Sequence, residues 1–144
     1  MILEENQIPD QEELIALYDS VRWSSYTDNA ESLFAGIANS RYLVTARNDE
    51  GKLIGLARII GDGYTIAYLQ DILVHPDYQH CGIGRQLIEA VFAPFHHCRQ
   101  HVLITDAEPY QRRFYESAGF VEARDWDKDS GQIRCFLRFN NPNR

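Results

Sequence analysis

Residues 71–85 read Asp71-Ile72-Leu73-Val74-His75-Pro76-Asp77-Tyr78-Gln79-His80-Cys81-Gly82-Ile83-Gly84-Arg85. The apolar run Ile72-Leu73-Val74 has strand character, and Pro76 ends it because proline gives no donor to a ladder. Beyond the turn, Leu87, Ile88, Val91, Phe92 and Phe95 recur at helical spacing, so a helix starts near Gly82. Two glycines between strand and helix let backbone approach a ligand with no Cβ in the way. The first turn of a helix offers unpaired N–H groups and a partial positive charge, which together suit an anion such as a phosphate. Arg85 adds a cation there. A Rossmann fingerprint needs a third glycine where Leu87 stands, and a P-loop needs Lys-Ser/Thr where Arg85-Gln86 stand, so both are excluded.

Working outward, Asp10 to Val21 carries Leu14, Ile15, Leu17, Tyr18 and Val21 at helical spacing, with Asp10 and Glu13 placed as a capping box. Asp28 is expected to cap a second short helix through Leu33, Phe34 and Ile37. The segment between them, Arg22 to Thr27, reads as a loop with two large aromatics. Arg41–Arg47 and Lys52–Ile60 are strand-rich runs joined by the turn Asn48-Asp49-Glu50-Gly51, and Gly61-Asp62-Gly63 turns into a third strand, Tyr64 to Val74. These three form an antiparallel meander, and a faint strand precedes them at Met1 to Leu3. Pro94 stops or kinks the helix that follows Gly82. His101 to Thr105 is a short strand reached by a right-handed parallel crossover. Pro109 opens a last helix, Tyr110 to Ser117, capped by Gly119 in the left-handed region. Ile133, Cys135, Leu137 and Phe139 alternate in Gln132–Phe139, which predicts a terminal strand. The expected fold class is α/β (α+β): a single domain over 1–144, with a central mixed sheet flanked by helices in three layers.

The order Gln79-x-x-Gly82-x-Gly84 after a strand resembles the signature of the GCN5-related N-acetyltransferase (GNAT) family. Arg113-Phe114-Tyr115-Glu116-Ser117-Ala118-Gly119-Phe120 resembles a later element of the same family, at the usual spacing. The likeness covers Asp10 to Phe139, with Pro94 a departure in a helix that usually runs on. It implies the acyl-CoA N-acyltransferase fold and acetyl-CoA as cosubstrate. It further implies that the pyrophosphate is held by Gln79, His80, Cys81, Gly82, Ile83, Gly84 and Arg85. The pantetheine would run beside Leu73 and Val74, where a bulge or splay opens the sheet. The implied activity is acetyl transfer to a primary amine, a small molecule by default and a protein amine as an alternative. The implied mechanism is direct attack in a ternary complex. A non-catalytic acyl-CoA-binding module is the rival reading.

An amine attacks only when neutral, and at a pKa of ~10.4 about one in two thousand is neutral at pH 7. A proton must therefore leave, and the developing oxyanion needs a donor, for which a strand N–H near Val74 is the candidate. Tyr115 matches the family's acid position and can protonate the departing thiolate. Asp71 is the first choice of base, because an acid amid Leu69, Ile72 and Leu73 is the least explained by solubility. Asp106, Glu108 and loss of the proton to water remain alternatives. Trp23, Tyr26 and Tyr64 are candidates to line the acceptor site.

Composition limits the partners. Lys+Arg is 14 against Asp+Glu 21, a net charge of -7. That disfavours nucleic acid, whose phosphates require a basic field, and would steer a cationic acceptor inward. Mean hydropathy is -0.39, and no run approaches the ~18–20 apolar residues of a membrane span. No secretion signal is readable at the start, and three scattered cysteines without a disulfide framework fit a reducing, cytoplasmic location. The three cysteines, Cys81, Cys98 and Cys135, form no disulfide framework. His96, His97, Cys98 and His101 lack zinc-ligand spacing, so no metal is expected. A homodimer is the expected assembly by likeness to small members of the family.

Overall fold

A computed structural model describes residues 1–126 and 133–140. It divides into two compact units, Met1–Ile104 and Thr105–Arg144. The first unit holds strands β1 (Ile2–Glu5), β2 (Tyr42–Arg47), β3 (Leu53–Ile60), β4 (Ile66–Val74) and β5 (Gln100–Leu103). Its helices are α1 (Gln11–Ser20), α2 (Ser24–Thr27), α3 (Ala30–Ala38) and α4 (Ile83–Phe92). The second holds α5 (Pro109–Ser117) and a short 3-10 turn, Ala123–Asp125.

The sheet runs β1-β2-β3-β4-β5. The first three pairings are antiparallel, and β4 pairs with β5 in parallel, as the crossover through α4 requires. On one face, Leu14, Leu17 and Tyr18 of α1 and Leu33 and Ile37 of α3 meet Leu43, Leu53, Leu56 and Leu73 of the sheet. On the other, α4 lies so close at Gly55 that an added Cβ would sit 3.0 Å from Leu87 Cδ1. Leu87, Ile88 and Val91 on its buried stripe seal that side. The sheet is therefore the middle of three layers.

Local chemistry explains the boundaries. Asp10 accepts from the Glu13 N–H (2.9 Å) and Glu13 accepts from the Asp10 N–H (3.3 Å), a full capping box. Replacing Asp10 with Ala should cost about 1 kcal/mol in chemical denaturation, the usual worth of a cap. Arg47 then locks α1 to the sheet edge by donating to Glu13 Oε1 and Glu4 Oε1, each at 2.6 Å. The Arg47 guanidinium holds the Glu13 carboxyl below its ordinary range. In the second unit, Gly119 has φ +95°. The Phe120 N–H bonds the Tyr115 carbonyl and the Gly119 N–H bonds that of Glu116, both at 3.0 Å, which is a Schellman ending. Arg112 stands among Glu116, Glu122 and Asp125 and braces the same unit.

Three expectations change, and a faint one is borne out with other bounds. Asp28 caps no helix start: it is the C-cap of α2, a helical turn inside the expected loop, and Asn29 precedes α3 without a side-chain cap bond. The faint N-terminal strand is real and spans Ile2–Glu5, because it has Val44–Arg47 to pair with. Tyr64 and Thr65 precede β4, because Asp62 Oδ1 accepts from both of their N–H groups at 2.8 Å. Of the expected terminal strand, Gln132 lies outside the described residues, and residues 133–139 form no strand. They are exposed throughout, Phe136 to 85%. Alternation in the sequence does not by itself make a strand.

Candidate active site

Gly82 has φ +84°, His80 before it φ +62°, and Gly82 is the N-cap of α4. The Gln86 N–H makes the helix's first return bond, to the Gly82 carbonyl at 3.1 Å. The Ile83 and Gly84 N–H groups lie ahead of it, where a helix presents donors outward. A Cβ at Gly82 would meet nothing of the protein within 4 Å, so the space before the turn is open. That arrangement fits a phosphate-bearing group. Gln79 secures the turn to the strand end through Nε2 to the Val74 carbonyl at 2.9 Å. Arg85 is exposed and paired with Glu89 at 2.7 Å. His80 and Cys81 are exposed on the same turn, while Leu73 points into the core.

The strand before this turn is irregular at one residue. Ile59 pairs with Leu69 and Arg58 with Asp71, so Gln70 is an extra residue, a bulge. At the same place β4 and β5 part, since β5 pairs with Ile66–Leu69 and no further. From Gln70 to Val74 that edge of β4 has no strand partner among the described residues. The bulge also switches faces. Leu69 lies opposite Ile59 on the α4 side, whereas Asp71 and Leu73 point to the α1 and α3 side.

Asp71 thereby enters a closed network. Its Oδ2 accepts from Arg58 Nε (2.6 Å) and Tyr18 Oη (2.8 Å), and its Oδ1 accepts from Tyr26 Oη (2.6 Å). Arg58 also donates to the Gly36 carbonyl at 3.1 Å, and Gln70 Nε2 donates to Tyr26 Oη at 3.1 Å. Burial, with the Asp71 charge adding to it, pushes the Tyr18 hydroxyl well above its ordinary range and raises that of Tyr26. Both tyrosines therefore stay protonated donors at neutral pH. Tyr18, Trp23 and Tyr26 form an aromatic cluster, with ring centroids 5.1–6.1 Å apart.

The structure thus brings Asp71 and Tyr26 into direct contact and sets Trp23 beside them. It does not bring in Tyr64, which is 74% exposed and carried on a separate turn. Tyr18, Arg58 and Gln70 were missed from sequence. Arg58 had a signal, a lone cation within Leu56-Ala57-Arg58-Ile59-Ile60. In the second unit Tyr115 is buried, its ring against Phe114 and Phe120, and burial pushes its hydroxyl up to about 12. Among the described residues no group of three or more His, Cys, Asp and Glu is placed to hold a metal ion, and no helix is long and apolar enough to cross a membrane.

Comparison with known proteins bears on this geometry. The sequence model of the family described as "Acetyltransferase (GNAT) domain" matches residues 7–134. An uncharacterized N-acetyltransferase, ycf52, of Pyropia yezoensis is 28% identical over 116 residues, 78% of this chain and 66% of that protein. The L-amino acid N-acyltransferase MnaT of Escherichia coli is 27% identical over 115 residues, 73% of this chain and 67% of that protein. The chain thus spans just under two thirds of the length of the first of these relatives. A solved GNAT family acetyltransferase from Streptococcus pneumoniae superposes with a TM-score of 0.82 at 27% identity, covering 96% of this chain and 97% of that one. AAC(6')-Iy in complex with a bisubstrate analogue shares the fold, with a TM-score of 0.69 at 20% identity over 98% of this chain and 100% of that one.

Proposed function

The chain belongs to the GNAT acetyltransferase family, and on that premise we propose that it moves the acetyl group of acetyl-CoA to a primary amine, a small molecule, by direct attack with both substrates bound. The observation that carries the reading is the parting of β4 from β5 at Gln70, on the strand whose end leads into the turn at the open Gly82. One end of that edge meets donors for a pyrophosphate, and its length leaves backbone groups for an extended pantetheine. A single domain over 1–144 is part of the reading, supported by a family match that crosses both compact units.

Acetyl-CoA supplies the activated thioester carbonyl, and the residues supply binding and proton handling. The turn Gln79–Arg85 holds the diphosphate through backbone N–H groups, with Gln79 keeping the turn on the end of β4. Leu73 and Val74 flank the pantetheine path. Tyr115 is assigned the acid role on the likeness of residues 113–120 to the family's later element, and its raised pKa keeps it protonated at neutral pH while making it a weaker acid. Asp71 takes a different part from the base expected of it. Three donors already occupy its two oxygens, so it holds Tyr26 and Tyr18 in place. The amine's proton then goes to water.

Thiol release from acetyl-CoA across a panel of amines, with mass detection of the products, tests the activity. A chain that binds acetyl-CoA and acetylates nothing would be an acyl-CoA-binding module. Gly82→Val should weaken acetyl-CoA binding at least tenfold by calorimetry, about 1.4 kcal/mol. A Cβ there meets no protein atom within 4 Å, so the side chain enters the ligand's space, and a β-branched residue at φ +84° also strains the turn that presents the N–H groups. Unchanged affinity in a folded variant would place the diphosphate elsewhere.

A further inference from the structure

The acceptor side of this reading has a charge balance that composition does not show. With a net charge of -7 and Asp71 on the cofactor strand, the sequence suggests a wall that gathers cations. In the structure the buried carboxylate of Asp71 is matched by the buried guanidinium of Arg58, 2.6 Å away. What the network turns toward the open part of the sheet is neutral: the half-buried rings of Trp23 and Tyr26 and the amide of Gln70. The other carboxylates on these segments, Asp19 and Asp28, are exposed, where water and salt weaken their pull.

Tyr26 adds a direction to this neutral wall. Its hydrogen is committed to Asp71 Oδ1 at 2.6 Å, so its oxygen faces incoming groups as an acceptor. Gln70 Nε2 donates to the same oxygen at 3.1 Å, so an incoming N–H shares that acceptor with the amide or takes its place. A neutral primary amine has what this requires: a lone pair for the carbonyl and N–H groups for an acceptor oxygen. A substrate with two or three further ammonium groups would find no unbalanced buried carboxylate to pair with them.

We propose that this wall selects primary amines carried on an uncharged carbon body: Tyr26 Oη accepts a hydrogen bond from the amine N–H, and the Trp23 and Tyr26 rings cover the body. Asp71 and Arg58 are positioning residues, acting through the Tyr26 hydroxyl. The inference rests on the acetyl-transfer reading above and narrows its acceptor.

The test compares phenethylamine with spermidine, by kcat/KM at moderate ionic strength, in wild type, Tyr26→Phe and Gln70→Glu. Wild type should favour phenethylamine by about tenfold or more, because the rings cover its body while spermidine must bring two further ammonium groups to a wall with no counter-charge. Tyr26→Phe should raise the KM for phenethylamine about tenfold while calorimetric affinity for acetyl-CoA stays the same. Gln70→Glu sets an unbalanced carboxylate beside Tyr26 and should move the ratio toward spermidine. A wild-type preference for spermidine, or a folded Tyr26→Phe with unchanged KM, overturns the inference and leaves acetyl transfer standing. If Tyr26→Phe does not fold, the wild-type ratio and its response to Gln70→Glu decide. Failure of wild type to acetylate any amine in a broad panel while binding acetyl-CoA sinks the acetyl-transfer reading, and this inference with it.

Discussion

Asp71→Asn should cost about 3–5 kcal/mol of unfolding free energy, the loss expected when one partner of a buried ion pair is removed. Arg58 is buried, and its Nε donates to Asp71. An amide at residue 71 leaves that guanidinium without a counter-charge and forces one of its polar atoms to face the hydroxyls of Tyr18 and Tyr26. Tyr18→Phe should cost less, about 1–3 kcal/mol, because it removes one hydrogen bond to a charged group while keeping the ring. The double variant Arg58→Met with Asp71→Leu should lose much less than the sum of the single changes, since no buried charge is left unpaired. Urea denaturation of Asp71→Asn, Tyr18→Phe, the double variant and its two single changes, Arg58→Met and Asp71→Leu, measures this. A cost below about 1 kcal/mol for Asp71→Asn would mean that water reaches the pair.

The same network fixes an alkaline limit. The Tyr18 pKa is raised in the fold, chiefly by burial. The unfolded chain therefore loses this proton from about pH 10 while the folded chain keeps it. Stability from this group is complete below pH 10 and falls as pH rises through the folded value, by up to about 1.4 kcal/mol per pH unit. Tyr26, shifted the same way, adds to the fall. Tyr18→Phe should flatten the decline above pH 10, although it lowers stability at neutral pH.

How far the sequence discloses all this depends on the range of the chemistry. The strand, turn and helix at 71–85 are legible because glycine and proline act on their own dihedrals, and the capping box and the Gly119 ending are legible for the same reason. The bulge is not. Burial alternates without interruption along β4 from Ala67 to Leu73, so nothing in the period reveals that the buried set changes faces at Gln70. Counting back from the turn with Ile60 on Tyr68 and Ile59 on Leu69 would set Arg58 opposite Gln70, and the extra residue moves it to Asp71. The polar network is therefore a product of register, which two strands decide together. Tyr64 shows the converse: an aromatic next to a glycine turn looks like site material, yet the turn carries it into solvent. At residues 133–139 the alternation is present and no strand forms, so the pattern by itself does not decide pairing.

The largest effect on rate is expected at Tyr115. Tyr115→Phe keeps the ring against Phe114 and Phe120, so folding and acetyl-CoA affinity should change little. The hydroxyl is lost, and with it a proton donor for the departing thiolate. General acids contribute roughly 10²–10⁴ in rate. A thiol of pKa ~8.5 leaves tolerably as thiolate, so the loss should fall toward the lower end of that range. It shrinks further in steady state if product release limits turnover. Single-turnover transfer at saturating acetyl-CoA isolates the chemical step. Burial pushes the Tyr115 hydroxyl up to about 12, with the Thr105 hydrogen bond working against the shift. The wild-type rate should therefore show no alkaline fall from this group below about pH 11, a pKa unit beneath that value. Any rise between pH 7 and 10 then reports deprotonation of the acceptor amine, whose pKa is ~10.4. In Tyr115→Phe that rise should persist at a lower absolute rate, because the acceptor still titrates while the donor is gone. Equal single-turnover rates in the two proteins would make Tyr115 a packing residue and pass the thiolate's proton to water.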